Sequence, residues 1–169
     1  VKDEVFPTPE PPDTSELSIM HYWHFNNLPD GNLTTVNSDF SALALASLSY
    51  PGTGDGYMDR IDPGTDINSQ MDELAGYGLR PRNPANTREL LFAAPSTRFE
   101  ELFVSFAIHR SSNGASENDF YYSPNGGANW VKVKNYEVQT YWELVTIDLS
   151  EIDEVNNNPD LLFKILFVG

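Results

Sequence analysis

Along most of the chain, apolar side chains recur at every second position, in short segments bounded by glycine, proline and asparagine. A period of two sends successive side chains to opposite faces of a pleated strand, so the pattern predicts half-buried β-strands rather than helices. In 101–110, Leu102, Val104, Phe106 and Ile108 fall on one face while Ser105, Ala107 and His109 fall on the other. In 142–149, Val145, Ile147 and Leu149 alternate with Glu143 and Asp148, and in 161–168, Phe163, Ile165 and Phe167 alternate with Lys164. Further strands are expected at 20–26, 42–50, 77–80, 88–94, 119–123 and 130–135. The segment 88–94 has some helical propensity, but Pro84 before it and Pro95 after it leave room only for a short element. The total of roughly nine strands is that of an antiparallel two-sheet β-sandwich or jelly roll. A single helical turn is expected at 150–155, with Ser150 as an N-cap and Glu151, Asp153 and Glu154 in the first turn.

The run YYSPNGGANW at 121–130 predicts a tight hairpin, because β-formers flank a cluster that supplies a preset proline and residues tolerant of positive φ. Ser123, Asn125, Gly127 and Trp130 stand in a pattern that resembles the Asp box of sialidases and many other secreted proteins, with Asn125 where that motif has Asp. The resemblance implies a structural unit away from a catalytic centre, in which Asn125 caps the turn and Trp130 packs on the hairpin.

Residues 1–18 combine prolines with acidic and hydroxyl side chains and few large apolar groups, which predicts a disordered or extended linker or stalk. The domain proper is expected at 19–169. At 169 residues the chain is long enough for one domain with a real core. Ten basic against 25 acidic residues give a net charge of −15, which argues against nucleic acid or an anionic membrane as partner and suits solubility or calcium capture. The chain has no cysteine, which removes disulfides, thiolate metal sites and cysteine nucleophiles. No apolar run is long enough for a transmembrane segment, and no basic-then-apolar leader follows Val1.

The glycine-rich segment 51–68 gathers Asp55, Asp59, Asp62, Asp66 and Asn68. Its oxygen density makes Asp59, Asp62 and Asp66 the candidate donors for a structural Ca2+ ion, although the spacing does not match an EF-hand. The competing reading is turn chemistry at Asp62-Pro63-Gly64 and surface pairing of Asp59 with Arg60 or Arg80. His21 and His24, three apart in an expected strand, point to opposite faces and suit packing or hydrogen bonding better than a shared metal. His109, Ser111, Ser112 and Asp119 have the letters of a nucleophilic triad but no strained Gly-x-Ser-x-Gly turn, so no catalytic residue is expected. Glu100, Glu101 and Glu143 supply carboxylates for glycoside hydrolysis, a chemistry decided by a separation that sequence does not encode. Among the aromatic and cationic residues, Tyr57, Arg80 and Arg82 are the expected ligand-binding set, because they border polar, glycine-rich or proline-rich loops where sites concentrate. The sequon at Asn32-Leu33-Thr34 is assigned no function.

The segments HYWHFNNLP (21–29), YPGTGDGYMDRIDPGTDIN (50–68), GYGLRPRNPANTRELLFAAP (76–95), YYSPNGGANW and NNNPDLLFKILFVG (156–169) together resemble a group of jelly-roll domains in secreted or surface-anchored proteins of Bacteroidetes-type bacteria. The resemblance implies a β-sandwich similar to galactose-binding-like and carbohydrate-binding modules, an extracellular or cell-surface location, and a stalk of the kind that follows a lipoprotein signal. It implies no catalytic residues. The expectation is thus a noncatalytic binding module for a glycan. The alternative is a structural or adhesion domain that contacts a neighbouring extracellular protein module, and a glycoside hydrolase ranks third.

Overall fold

The computed structural model describes residues 17–50, 56–83 and 88–169. Most of the stalk expected at 1–18, and Asp55 of the aspartate-rich segment, lie outside the described residues. The described chain is all-β. Its strands are β1 (His21–Tyr22), β2 (Thr35–Asn37), β3 (Phe40–Ser41), β4 (Ser47–Ser49), β5 (Tyr57–Ile61), β6 (Gly78–Arg82), β7 (Glu89–Ala93), β8 (Leu102–Ile108), β9 (Glu117–Ser123), β10 (Val131–Glu137), β11 (Glu143–Leu149) and β12 (Leu162–Val168).

An antiparallel six-stranded sheet runs in the order β10-β9-β12-β7-β4-β2, and three two-stranded ribbons pair β11 with β8, β5 with β6 and β1 with β3. The period-two pattern explains the sheet's position. On β12, Phe163, Ile165 and Phe167 are buried while Leu162, Lys164 and Leu166 lie on the other face. Phe163 stands opposite Phe92 on one side and Tyr122 on the other, and Ile165 stands between Leu90 and Phe120. On β11, buried Val145, Ile147 and Leu149 alternate with Leu144, Thr146 and Asp148 and join the same apolar core, giving a sandwich-like arrangement. Each such side chain, removed from water, contributes about 1.5–3 kcal/mol before the entropy of ordering is counted.

All nine strands expected from the pattern contain a strand, but several shrink. Of 20–26 only His21 and Tyr22 pair, and of 42–50 only Ser47–Ser49 pairs. Leu43 and Leu45 stand 53% and 63% exposed, on the phase opposite to buried Ala46, Leu48 and Tyr50, so their alternation is not that of β4. Strands β2, β3 and β5 were not expected. The first two are three and two residues long. The third, YMDRI, carries one fully buried side chain, Met58, amid polar neighbours and lies in the stretch read as a loop. The helical turn is a 3-10 turn at Asp153–Val155 whose N-cap is Ile152, without a side-chain cap. Ser150 is not the cap: its hydroxyl donates to the Asp148 carboxylate at 2.6 Å.

The 121–130 hairpin follows its motif. The hydroxyl oxygen of fully buried Ser123 accepts the Gly127 N–H at 2.8 Å, and Asn125 Oδ1 accepts the Asn129 N–H at 2.9 Å. Asn125 therefore caps the turn with a neutral oxygen. Gly126 and Gly127 hold φ of 67° and 96°, which disfavours any residue with a Cβ. The Lys164 ammonium lies 4.3 Å from the Trp130 ring centre and 5.0 Å from that of Tyr121, so Trp130 covers the outer face of β12 beside the hairpin.

Candidate ligand-binding surface

Register along β5 and β6 brings the three expected ligand residues together. Tyr57 pairs with Arg82, Asp59 with Arg80 and Ile61 with Gly78, which places all six on one face of the ribbon. The other face sends Met58, 0% exposed, into the core. The ribbon is also held along the edge of β5 away from β6, where Leu33 and Met58 exchange backbone hydrogen bonds at 2.7 and 2.8 Å. Buried Tyr50 donates its hydroxyl to the Arg82 carbonyl at 3.1 Å. The outward side chains therefore stand on a backbone fixed by the core.

On that face, Arg80 donates from Nε and Nη2 to the two oxygens of Asp59 at 2.8 and 2.7 Å. The Arg82 Nη1 lies 3.9 Å from the same carboxylate, and its guanidinium sits 5.6 Å from the Tyr57 ring centre. The hydrogen bonds and positive charge of Arg80 hold the Asp59 carboxyl below its ordinary pKa, and Asp59 raises that of Arg80 in return. The arginine side chains are 45% and 39% exposed and that of Asp59 is 21% exposed. Pairs this open add at most about 1 kcal/mol to stability, so their consequence is orientation. Beyond Ile61 the face approaches Trp142: a Cβ built on Gly78 would lie 3.5 Å from its indole edge. Trp142 in turn meets the His109 ring at 4.1 Å between centres.

Asp59, Asp62 and Asp66 are not gathered into a calcium shell. Asp59 is committed to two arginines on a strand, whereas Asp62 and Asp66 are exposed in the turn that follows, which includes the cis Asp62-Pro63 bond. Among the described residues no group of three or more His, Asp or Glu side chains is arranged to hold a metal ion. The expected pairing of Asp59 with Arg80 forms, while Arg60 turns instead to Asp30 at 2.6 Å and to the Tyr77 ring at 4.5 Å.

The histidines are engaged separately. His21 lies between the Ser41 hydroxyl at 2.8 Å and the Pro95 carbonyl at 2.9 Å, and burial lowers its pKa against the opposing effect of that carbonyl. His24 falls beyond β1, so strand geometry does not govern where it points. Its Nδ1 accepts the Asn26 N–H at 3.0 Å, and its Nε2 lies 3.6 Å from both Asp39 and Glu73. His109 faces Trp142, and Asp119 receives Lys132 at 2.9 Å and Asn135 at 2.7 Å, so the letters of the triad are spent on different partners.

A second feature gave little signal in the sequence. An open cleft of about 400 Å³ is lined by Asn26, Glu73, Leu74, Gly76 and Tyr77. Asn26 knots it together, donating to Glu73 and to the Leu74 carbonyl and accepting the Tyr77 N–H. These residues lie some fifty positions apart and meet through left-handed backbone at Phe25, Met71, Asp72 and Gly76. At Gly76 a Cβ would come within 2.0 Å of the Asn26 side chain, so the glycine is required by the knot. No spacing rule encodes such a meeting.

No protein-family model matches this chain, and no curated protein or solved structure compared with it is significantly similar.

Proposed function

We propose that this chain is a noncatalytic binding module of jelly-roll topology, exposed outside the cell or on its surface, that holds a glycan against the β5–β6 face. The reading is carried by one observation: Tyr57, Arg80 and Arg82 form a single outward-facing row whose backbone is pinned to the core. Glycans are bound by aromatic surface together with a few aimed donors, and a preorganised row loses little entropy when it engages a ligand. Retention in affinity gels that contain polysaccharides tests this. The folded protein is slowed by at least one polysaccharide, and passage through all of them unretarded overturns the reading.

A specific observation favours a second reading, in which the module docks a neighbouring extracellular protein. Leu43, Leu45, Ile67, Met71 and Leu74 are 44–81% exposed, two on one short segment and three on another, and large apolar side chains left in water suit a contact surface. Co-purification that is lost on Leu74→Ser, with glycan retention unchanged, would select it.

A further inference from the structure

We infer that the glycan taken by the β5–β6 face is acidic, a polysaccharide with spaced carboxylates such as a uronate polymer. This rests on the binding reading above and adds the charge of the ligand to it. Among the described residues, two guanidinium groups and one carboxylate share the face, one excess positive charge on a chain whose net charge is −15. Asp59 satisfies two donors of Arg80 and lies only within 3.9 Å of Arg82, so most of the guanidinium N–H groups have no partner among the described residues. A guanidinium fork matches a carboxylate in plane and spacing, and charge-assisted bonds of this type are stronger than those to neutral hydroxyls.

Tyr57 decides between charge and stacking. The Arg82 guanidinium stands over its ring, so a neutral sugar that stacked on that face would have to displace the cation. A carboxylated sugar instead approaches the outer side of Arg82 and leaves the Tyr57 contact in place. Asp59 and Tyr57 are then positioning residues that hold two forks toward solvent. The negative remainder of the chain limits how much charge the ligand carries. Its repulsion is screened beyond roughly 8 Å at physiological salt, which tolerates carboxylates met one at a time and penalises a densely sulfated chain.

Affinity gels with the intact chain in polygalacturonate, in its fully methyl-esterified form and in heparin test the inference. The expected result is retention by polygalacturonate that is at least tenfold stronger than by the ester or by heparin. Arg82→Gln and Arg80→Gln should each lower polygalacturonate retention about tenfold while the thermal melt falls by no more than a few degrees. Equal or stronger retention by the neutral ester overturns the inference while leaving the glycan reading intact, and tighter retention by heparin overturns the limit on charge density. No retention by any polysaccharide overturns both readings together.

Discussion

Arg80 and Asp59 face each other across β5 and β6 and close a two-point contact, Nε to Oδ1 at 2.8 Å and Nη2 to Oδ2 at 2.7 Å. The carboxylate acts less as a staple than as a guide, because the pair is too exposed to contribute much to stability. Asp59→Asn removes the charge and one acceptor from this guide. Urea denaturation should show a loss of about 0.5–1 kcal/mol, and retention by a glycan should fall several-fold as Arg80 loses its orientation. A large stability loss with full retention would assign Asp59 to the fold alone.

Acid should weaken the fold in two stages. His21 has a lowered pKa in the folded state because burial disfavours its cation. Its contribution is present above the ordinary value of about 6.5 and is lost as pH falls. The urea midpoint should decline as pH falls below about 6.5, and His21→Gln should flatten that decline. Asp59 is lowered chiefly by Arg80. Burial of Asp119 alone would raise its pKa, but Lys132 and Asn135 outweigh it and lower it. Their contributions are present above the ordinary carboxylate value of about 3.9, so a second decline begins below it. A midpoint that rises as pH drops below about 6.5 would contradict this assignment.

The hairpin should be sensitive to its glycine and tolerant at its cap. Gly127→Ala places a Cβ on a backbone at φ 96°, 3.5 Å from Leu162, and should cost about 1–2 kcal/mol. Asn125→Asp keeps the oxygen that accepts the Asn129 N–H, so stability should change by less than about 0.5 kcal/mol. Thermal melts of the two variants distinguish a structural turn, for which this order holds, from one in which charge at 125 matters more.

Because Asp59 is bound to arginine and Asp62 and Asp66 are exposed apart from it, calcium should not stabilise the native state through these three carboxylates. A ligand that binds only the folded chain raises the melting temperature by mass action. Melts in chelator and in millimolar calcium should therefore coincide, and a rise of several degrees in calcium would contradict the assignment of these aspartates.

Most of the strands are legible because they are half-buried: Val145, Ile147 and Leu149 on β11, or Phe163, Ile165 and Phe167 on β12, declare a face by alternation alone. Strand β5 is not, since its only fully buried side chain is Met58 and one point defines no period. Leu43 and Leu45 show the opposite failure, an apolar alternation out of phase with the positions that are buried, Leu48 and Tyr50. In the sequence, Tyr57, Arg80 and Arg82 stand out for the loops beside them. What unites them is a register, Tyr57 against Arg82 and Asp59 against Arg80, that depends on which strand pairs with which. The Asn26 knot depends on left-handed turns and long-range closure, and no local pattern records either.

Binding at the β5–β6 row is tested by comparing the native chain with Tyr57→Ala/Arg82→Ala in polysaccharide affinity gels, alongside thermal melts of both. Both side chains are only partly buried, so the melts should agree within a few degrees while retention falls at least tenfold. Retention that survives the double substitution in a folded protein would place the binding surface elsewhere.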